Sequence, residues 1–492
     1  MKIGIIIGVL IYEIVVVFGV GAIVAWRNKK HAHQEGEFAL GGRNMTFSML
    51  VPTIALTGLG SAHITGMFEM AYGMGAVTIW FSIAHVLFFI LLCLLTGPWI
   101  RRMGHTTISA ALKDMYGEKV SLAVSCVMAG VVFGILTLET QGAGIVIEAM
   151  TGWPIVPAVI AGGIFGVVYV ILAGMKEIGV VNLVNIFVLY IGIIAATIIV
   201  GTQLPGGSFE YVTTTLNSDI NTAFMTKVMG TPQLWFSFAL SNLLVVAFYG
   251  PVSQQQLQTP IAAKNEKIIR RSLWIAAPIN GLFGVFSVTL GLAAVSLPEY
   301  AALGGKTAAM NMLVDMLPPW VTVLTLAALL AAILSTFAMT TLVCATIFGY
   351  DIYKNLFKPQ ATEKDVKKVM RIVIIILAVF VILLSFTLPT IIGAINWAFA
   401  WICPVFFLFI FSLFWKRSAK VAGFTLGISW VVNALWSLTP LPTLFGTTAD
   451  IVPNGYITSV LGFIIPLIGN CIVKDAKMGY WKEKGLKNKE VK

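Results

Sequence analysis

Charge is what this sequence has least of: 11% of its 492 residues are Asp, Glu, Lys or Arg, while 58% are hydrophobic. Soluble domains run at about 25% charged and about 45–50% apolar, so a water-soluble chain is excluded. Cysteine is scarce and odd in number. Cys93, Cys126, Cys344, Cys403 and Cys471 lie in apolar stretches, and none forms a C-x-x-C pair. That excludes a disulfide scaffold and leaves zinc or redox chemistry without support. Each cysteine reads as a small buried apolar residue. The five histidines, at positions 31, 33, 63, 85 and 105, make no cluster with acidic residues, so an enzyme working at a membrane face is not expected. Fibrous, disordered and nucleic-acid-binding chains are excluded too, the last despite a net charge of +11.

What is there is apolar bulk, including 31 Phe and 13 Trp. One soluble core stops growing near about 250–300 residues, so the surplus must face a lipid bilayer. A span takes about 20 mostly apolar residues, and the pattern predicts thirteen of them. They fall at 3–26, 45–71, 75–99, 120–147, 154–174, 177–201 and 232–256. The others fall at 272–298, 319–349, 369–388, 390–415, 420–440 and 454–474. The first run outlasts the ~7–15 apolar residues of a cleavable signal, so it is expected to remain as a transmembrane helix.

The few charges test that count. With thirteen spans the loops alternate sides, and basic residues should collect on the cytoplasmic one. All but Lys2, Lys227 and Lys306 of the 32 Lys and Arg then fall on a single side. The expectation is an all-α, multi-pass protein of the plasma (inner) membrane, with its N-terminus outside and its C-terminus inside. The stretch 202–231 reads as an external loop, and the tail from Lys474 as a charged end resting on anionic lipid.

Ionisable and helix-breaking residues inside spans are costly and mark pathways by default. Glu13, Glu69 and Glu139 are acidic residues lying inside spans. Glu13 reads as an interface-paired side chain as readily as a functional one, and Glu69 as reaching water at a span end. Glu139, in Leu138-Glu139-Thr140-Gln141-Gly142, sits deeper, as a pathway residue or a structural hydrogen-bonding one. The second span carries Thr57-Gly58-Leu59-Gly60-Ser61-Ala62-His63, two glycines among polar side chains. The seventh carries Tyr249-Gly250-Pro251, followed by Ser253, Gln254, Gln255 and Gln256. Proline has no N–H and crowds the preceding turn, so helical bonding fails there. Paired breaks five spans apart point to the inverted repeat of secondary transporters. In the ninth span, Leu330-Ala331-Ala332-Ile333-Leu334-Ser335-Thr336 sets two hydroxyls near mid-helix. Oxygen ligands without several carboxylates suit Na⁺; hydroxyls bonded back to their own helix are the alternative.

At these residues the sequence resembles the sodium:solute symporter family over most of its length. Asp351-Ile352-Tyr353-Lys354, Phe38-Ala39-Leu40-Gly41-Gly42-Arg43 and Ser412-Leu413-Phe414-Trp415-Lys416-Arg417 fit that family's motifs in order and spacing. Gln141-Gly142-Ala143-Gly144 and Ile261-Ala262-Ala263-Lys264 fit as well. The resemblance implies a leucine-transporter-type 5+5 inverted-repeat core, with one helix before it and two after. It also implies secondary transport, in which Na⁺ moving inward drives solute uptake. The implied Na⁺ ligands are the carbonyls of Leu56, Leu59 and Ala332 and the hydroxyls of Ser335 and Thr336. Tyr249 matches an aromatic gate. The solute is expected between the broken helices, with Thr57, Ser61 and His63 facing Glu139, Gln141, Tyr249, Asn396 and Trp397. His63 reads as a hydrogen-bonded imidazole or as a group that tunes pH dependence.

The departures from the family pattern carry information too. Asn182 stands where some members carry an aspartate that helps a second sodium, which implies one Na⁺ per cycle. Glu139 stands at a frequent Gln, as a partner for a substrate amine or a proton-linked group. Phe337 replaces a small residue, and Gln258-Thr259 a Gln-Arg pair. The expected cargo is a small polar organic solute, an amino acid or a carboxylate. Proton-coupled symport and a channel are the alternatives; a channel would need rings of charge or a carbonyl filter, and neither is evident. The expected partners are the solute and the lipid bilayer, and the protein is expected as a monomer. The expected divisions are 1–44 (extra helix and basic loop), 45–201 (first five-helix repeat), 202–231 (external loop), 232–388 (second five-helix repeat), 389–474 (three C-terminal helices) and 475–492 (tail).

Overall fold

The computed structural model describes residues 2–28, 37–172, 174–385 and 390–485. Lys29, Lys30, His31, His33, the last residues of the span expected at 369–388, and Lys487, Lys489 and Lys492 lie outside them. The described chain is mostly helical. Its longer helices are labelled here in chain order. They begin with α1 (2–28), α2 (Phe47–Gly58), α3 (62–74), α4 (75–103), α5 (Glu118–Thr151), α6 (Ile155–Leu172) and α7 (Met175–Gln203). Then follow α8 (232–249), α9 (Gln254–Ile261), α10 (Glu266–Ser296), α11 (Pro319–Phe357) and α12 (Glu363–Leu384). Last are α13 (Ile391–Ala400), α14 (Cys403–Phe414), α15 (Ala419–Leu438) and α16 (Asn454–Ile472).

Among the described residues ten helical stretches are long and apolar enough to cross a membrane, and Phe47–Gly58 and Ile155–Ile171 are shorter apolar helices. The difference from thirteen has local causes. The expected second span is divided between α2 and α3, and α3 meets α4 through a tight turn at Gly75, whose φ of 77° suits glycine. α12 opens on a charged first turn and turns apolar later. The expected span 390–415 still counts as one crossing, Ile391–Phe414, though a turn at Trp401–Ile402 interrupts it, with Pro404 in the first turn of α14, where a missing N–H costs nothing. The stretch 232–388 holds the broken α8–α9 and three further long helices, α10, α11 and α12. The exception to an all-α chain is a two-residue antiparallel ribbon, Lys416–Arg417 with Lys477–Met478.

Burial sorts the helices into a centre and a rim. α11 is 89% buried along its apolar window, whereas the first helix is 19% buried and stands at the periphery. α12 shows how a rim helix is written: Ile372, Ile375, Ile376, Val379, Phe380 and Leu383 form an outward stripe, while Val366, Met370, Ile374, Leu377 and Val381 face in. Helices in lipid gain no hydrophobic drive from pairing, so close packing must hold them. Gly192 of α7 lets the backbone of Thr325 in α11 approach, and the Thr325 hydroxyl donates to the Gly192 carbonyl at 3.2 Å. Cys93, Cys344 and Cys403 are buried as expected, but Cys126 and Cys471 face outward.

Side-chain bonds define two ends of the bundle. At the basic end Arg43 donates to the Gly104 carbonyl at 2.7 Å and Arg102 pairs with Glu266 at 2.8 Å. There too Arg417 pairs with Glu483, and the Tyr480 hydroxyl bonds Asp114 at 3.0 Å. At the opposite end Tyr72 donates to the Ala301 carbonyl at 2.6 Å and Trp80 to the Val228 carbonyl at 3.0 Å.

Candidate functional site

The site begins where α2 stops. Helical bonding ends at Leu59, which leaves the helix at φ −101° and ψ 41°, and resumes at Ala62. Two groups from distant helices fill the gap. From α11, the Thr336 hydroxyl lies 2.8 Å from the Leu56 carbonyl and 3.2 Å from the Ala332 carbonyl of its own helix. One hydroxyl proton cannot serve both carbonyls, so this is a cluster with more acceptors than protons. Ser335, the preceding residue, keeps a buried hydroxyl with no partner. A monovalent cation coordinated by neutral oxygens would resolve both features, and a divalent one would want several carboxylates where the break has one. Leu59 is buried at the same break.

From α5 comes Glu139, 2% exposed, whose Oε2 accepts the Ser61 N–H at 2.8 Å. This N–H opens α3, and a carboxylate there satisfies an unpaired donor at the positive end of the helix dipole. The approach depends on glycine twice. A Cβ on Gly60 would overlap the Glu139 carboxylate, and one on Gly142 would overlap the Ser61 side chain. The glycines that weaken the helix are therefore also those that let α5 close on the break. The Ser61 hydroxyl and the Gln141 Oε1 remain buried without partners nearby.

Other expected residues are placed elsewhere. The Thr57 hydroxyl bonds back to the Thr53 carbonyl at 2.7 Å, the local alternative weighed for such residues. His63 turns away from α5 and packs among Phe81 and His85, with ring centroids 4.9 and 4.3 Å away, and both its ring nitrogens are unpartnered. Trp397 is 39% exposed and lines a lateral cavity with Gly130, Gly134 and Trp401, apart from Ser61 and Glu139. Asn396 stands beside it with a buried, unpartnered Oδ1. Asn182 is fully buried and neither end of its amide is bonded. Glu13 is also fully buried without a partner, and the Glu69 carboxylate accepts the Ile391 N–H at 3.3 Å.

The second break is held differently. Ser253, extended at φ −69° and ψ 128°, separates a turn at Gly250–Val252 from α9. Tyr249 stacks on Phe399 at 3.7 Å, and its hydroxyl donates to Gln255 at 3.2 Å. Gln255 donates to Thr340 at 2.8 Å. Gln254 accepts from the Ile108 N–H at 2.9 Å and donates to the Thr106 carbonyl at 3.1 Å, while Gln258 donates to the Ala39 carbonyl at 2.9 Å and to Thr346 at 3.2 Å. Close by, Asp351 accepts from Thr107 at 2.6 Å and from Ser125 at 3.3 Å. This polar lock escaped the sequence reading; its one signal was a run of glutamines continuing a buried helix.

Comparison with known proteins agrees with this geometry. The profile of the sodium:solute symporter family matches residues 38–428. The sodium/glucose cotransporter of Vibrio parahaemolyticus is 23% identical over 83% of this chain and 80% of its own length. The monocarboxylic acid transporter of Corynebacterium glutamicum is 24% identical over 92% of this chain and 90% of its own. Among solved structures, a Na⁺-coupled sialic acid symporter in a substrate-bound outward-open state superposes with a TM-score of 0.81 at 18% identity, covering 96% of this chain and 99% of the other. Two breaks, an acceptor-rich junction between α2 and α11 and a profile match over most of the length converge, and the chain belongs to the sodium:solute symporter family.

Proposed function

We propose that the protein couples the inward movement of Na⁺ to uptake of a small polar organic solute by alternating access. The observation that carries this reading is the junction of Thr336 with the Leu56 and Ala332 carbonyls beside the unpartnered Ser335 hydroxyl. Na⁺ held there by Leu56, Leu59, Ala332, Ser335 and Thr336 would tie α11 to the first break and favour one arrangement of the bundle. Solute binding near Ser61, Glu139 and Gln141 would then be favoured by Na⁺, and the reverse must hold equally. The hydrogen bonds of Gln254, Gln258 and Asp351 close the basic end in this arrangement. Opening that end would require them to break and would release both cargoes.

The same reading takes thirteen spans, with the N-terminus outside, the basic end in the cytoplasm and a monomeric protein. The repeats are α2–α7 and α8–α14, with α2–α3, α8–α9 and α13–α14 each counted as one span. Uptake into proteoliposomes under an inward Na⁺ gradient tests the proposal. Saturable uptake that collapses in the Ser335→Ala, Thr336→Ala double variant supports it, and unchanged Na⁺ dependence in that variant contradicts it. The buried Glu139 carboxylate beside the break favours one second reading, proton coupling. Uptake driven by an imposed proton gradient in Na⁺-free medium would select it.

A further inference from the structure

At the end opposite the basic loops, a cavity of roughly 290 Å³ opens between α5, α6 and the connection from α10 to α11. Gln141, Ile145 and Glu148 line it from one face of α5, spaced by four and three residues, and Lys306 and Thr307 line it from the connection. Seven residues of helix at 1.5 Å each carry the α5 wall inward by about 10 Å, from Glu148 near the mouth to Gln141 beside the first break. Val159 of α6 supplies an apolar wall.

Three features of this cavity call for a ligand of one kind. Its floor holds the Gln141 Oε1, a buried acceptor without a partner. Its rim holds a carboxylate, half-buried Glu148, and an ammonium, exposed Lys306. Among the described residues these two do not pair with each other within 4.0 Å; Lys306 interacts electrostatically with Glu69. A simple anion entering here would meet Glu148, and a simple cation would meet Lys306. A molecule carrying both charges meets a partner for each at the rim, and the Gln141 acceptor below is left for a donor elsewhere on the same molecule. The Thr307 hydroxyl is already committed to the Leu303 carbonyl at 3.1 Å and adds no preference.

We infer that this cavity is an outer binding site for a zwitterionic solute of the amino-acid class, held at the rim by Lys306 at its carboxylate and by Glu148 at its ammonium, with Gln141 below as an acceptor for a donor on its side chain. The inference rests on the symport reading and narrows its cargo. Interactions at such a wet rim are individually modest, so the site would raise capture from dilute solution rather than set the turnover rate.

The test uses the full-length protein in proteoliposomes under an inward Na⁺ gradient, with a radiolabelled mixture of the twenty L-amino acids as the probe. Saturable uptake should appear and be competed by unlabelled amino acids, but not by equal concentrations of propionate, lactate or ethylamine. Lys306→Gln and Glu148→Gln should each raise the half-saturation concentration about fivefold with little change in maximal rate, the signature of lost uniform binding. Lys306→Arg should restore it to within about twofold. Absence of amino-acid uptake, competition by the single-charge probes, or wild-type half-saturation in both neutral variants would overturn the inference. Binding of ²²Na⁺ to the same preparation separates the causes. If Na⁺ binds while amino acids do not enter, the zwitterion site alone fails; if Na⁺ does not bind, the symport reading fails and takes this inference with it.

Discussion

The two helix breaks occupy matching places five spans apart, yet their surroundings differ in kind. At the first, distant side chains supply acceptors in excess: the Glu139 carboxylate, two carbonyls sharing one Thr336 proton, and unpartnered hydroxyls at Ser61 and Ser335. At the second, Gln254 accepts from Ile108 and donates to Thr106, Gln255 accepts from Tyr249 and donates to Thr340, and Gln258 donates to Ala39 and Thr346. A broken helix is thus not a binding site in itself. Its neighbours decide whether the freed groups stay available or are consumed in a lock. Buried polar groups without partners are costly; around the first break they include Ser61, Gln141 and Ser335, and at the second the Ser253 and Thr259 hydroxyls lack partners too, while the glutamine amides are bonded. On the reading proposed above, the first break serves binding and the second closure.

The sharpest way to break this contrast is to fill the first gap. Gly60→Ala places a methyl group where the Glu139 carboxylate lies. It should reduce Na⁺-driven uptake by more than about tenfold, in line with overpacking costs of about 1–3 kcal/mol. Adding Glu139→Ala removes the overlap, so the double variant should be folded better than Gly60→Ala alone in a thermal-unfolding assay. Equal losses for both variants would show that the glycine is needed for backbone reasons alone. At the second break, Gln254→Ala strands the buried Ile108 N–H, a loss of about 1–3 kcal/mol. The basic end should then open more readily, seen as faster labelling of a cysteine placed at Thr106, with apparent Na⁺ affinity weakened several-fold and Na⁺ dependence kept. Thr336→Ser keeps the hydroxyl and loses only a methyl group; a two- to threefold rise in the half-saturating Na⁺ concentration is expected, about 0.5 kcal/mol. A loss as large as that of the Ser335→Ala, Thr336→Ala variant would mean packing, not the oxygen, matters there.

Both breaks were legible in the sequence, because glycine and proline interrupt helical bonding through local chemistry. The Ser335–Thr336 pair was legible only through its company of motifs, since a hydroxyl in a helix most often bonds back to it, as Thr57 does. What could not be read was pairing across long separations. Glu139 was recognised as deep and polar, but its bond to the Ser61 N–H, 78 residues away, is a fact of packing. Facing was the other blind spot: Trp397 was expected inward and stands outward, and His63 lies behind the break among aromatic rings. The thirteen-span expectation came from counting apolar residues, and a 12-residue half-helix such as Phe47–Gly58 shows how a break divides such a run.

The central claim is that the first break and α11 hold Na⁺ while the second break only closes the path. Equilibrium binding of ²²Na⁺ to purified protein, without solute, tests it most directly in three forms: wild type, Ser335→Ala with Thr336→Ala, and Gln254→Ala. The account predicts saturable binding competed by Na⁺ and not by K⁺ in the wild type, its loss in the double variant, and its retention, weakened several-fold, in Gln254→Ala. Binding that survives in the double variant, or that vanishes only in Gln254→Ala, would contradict it.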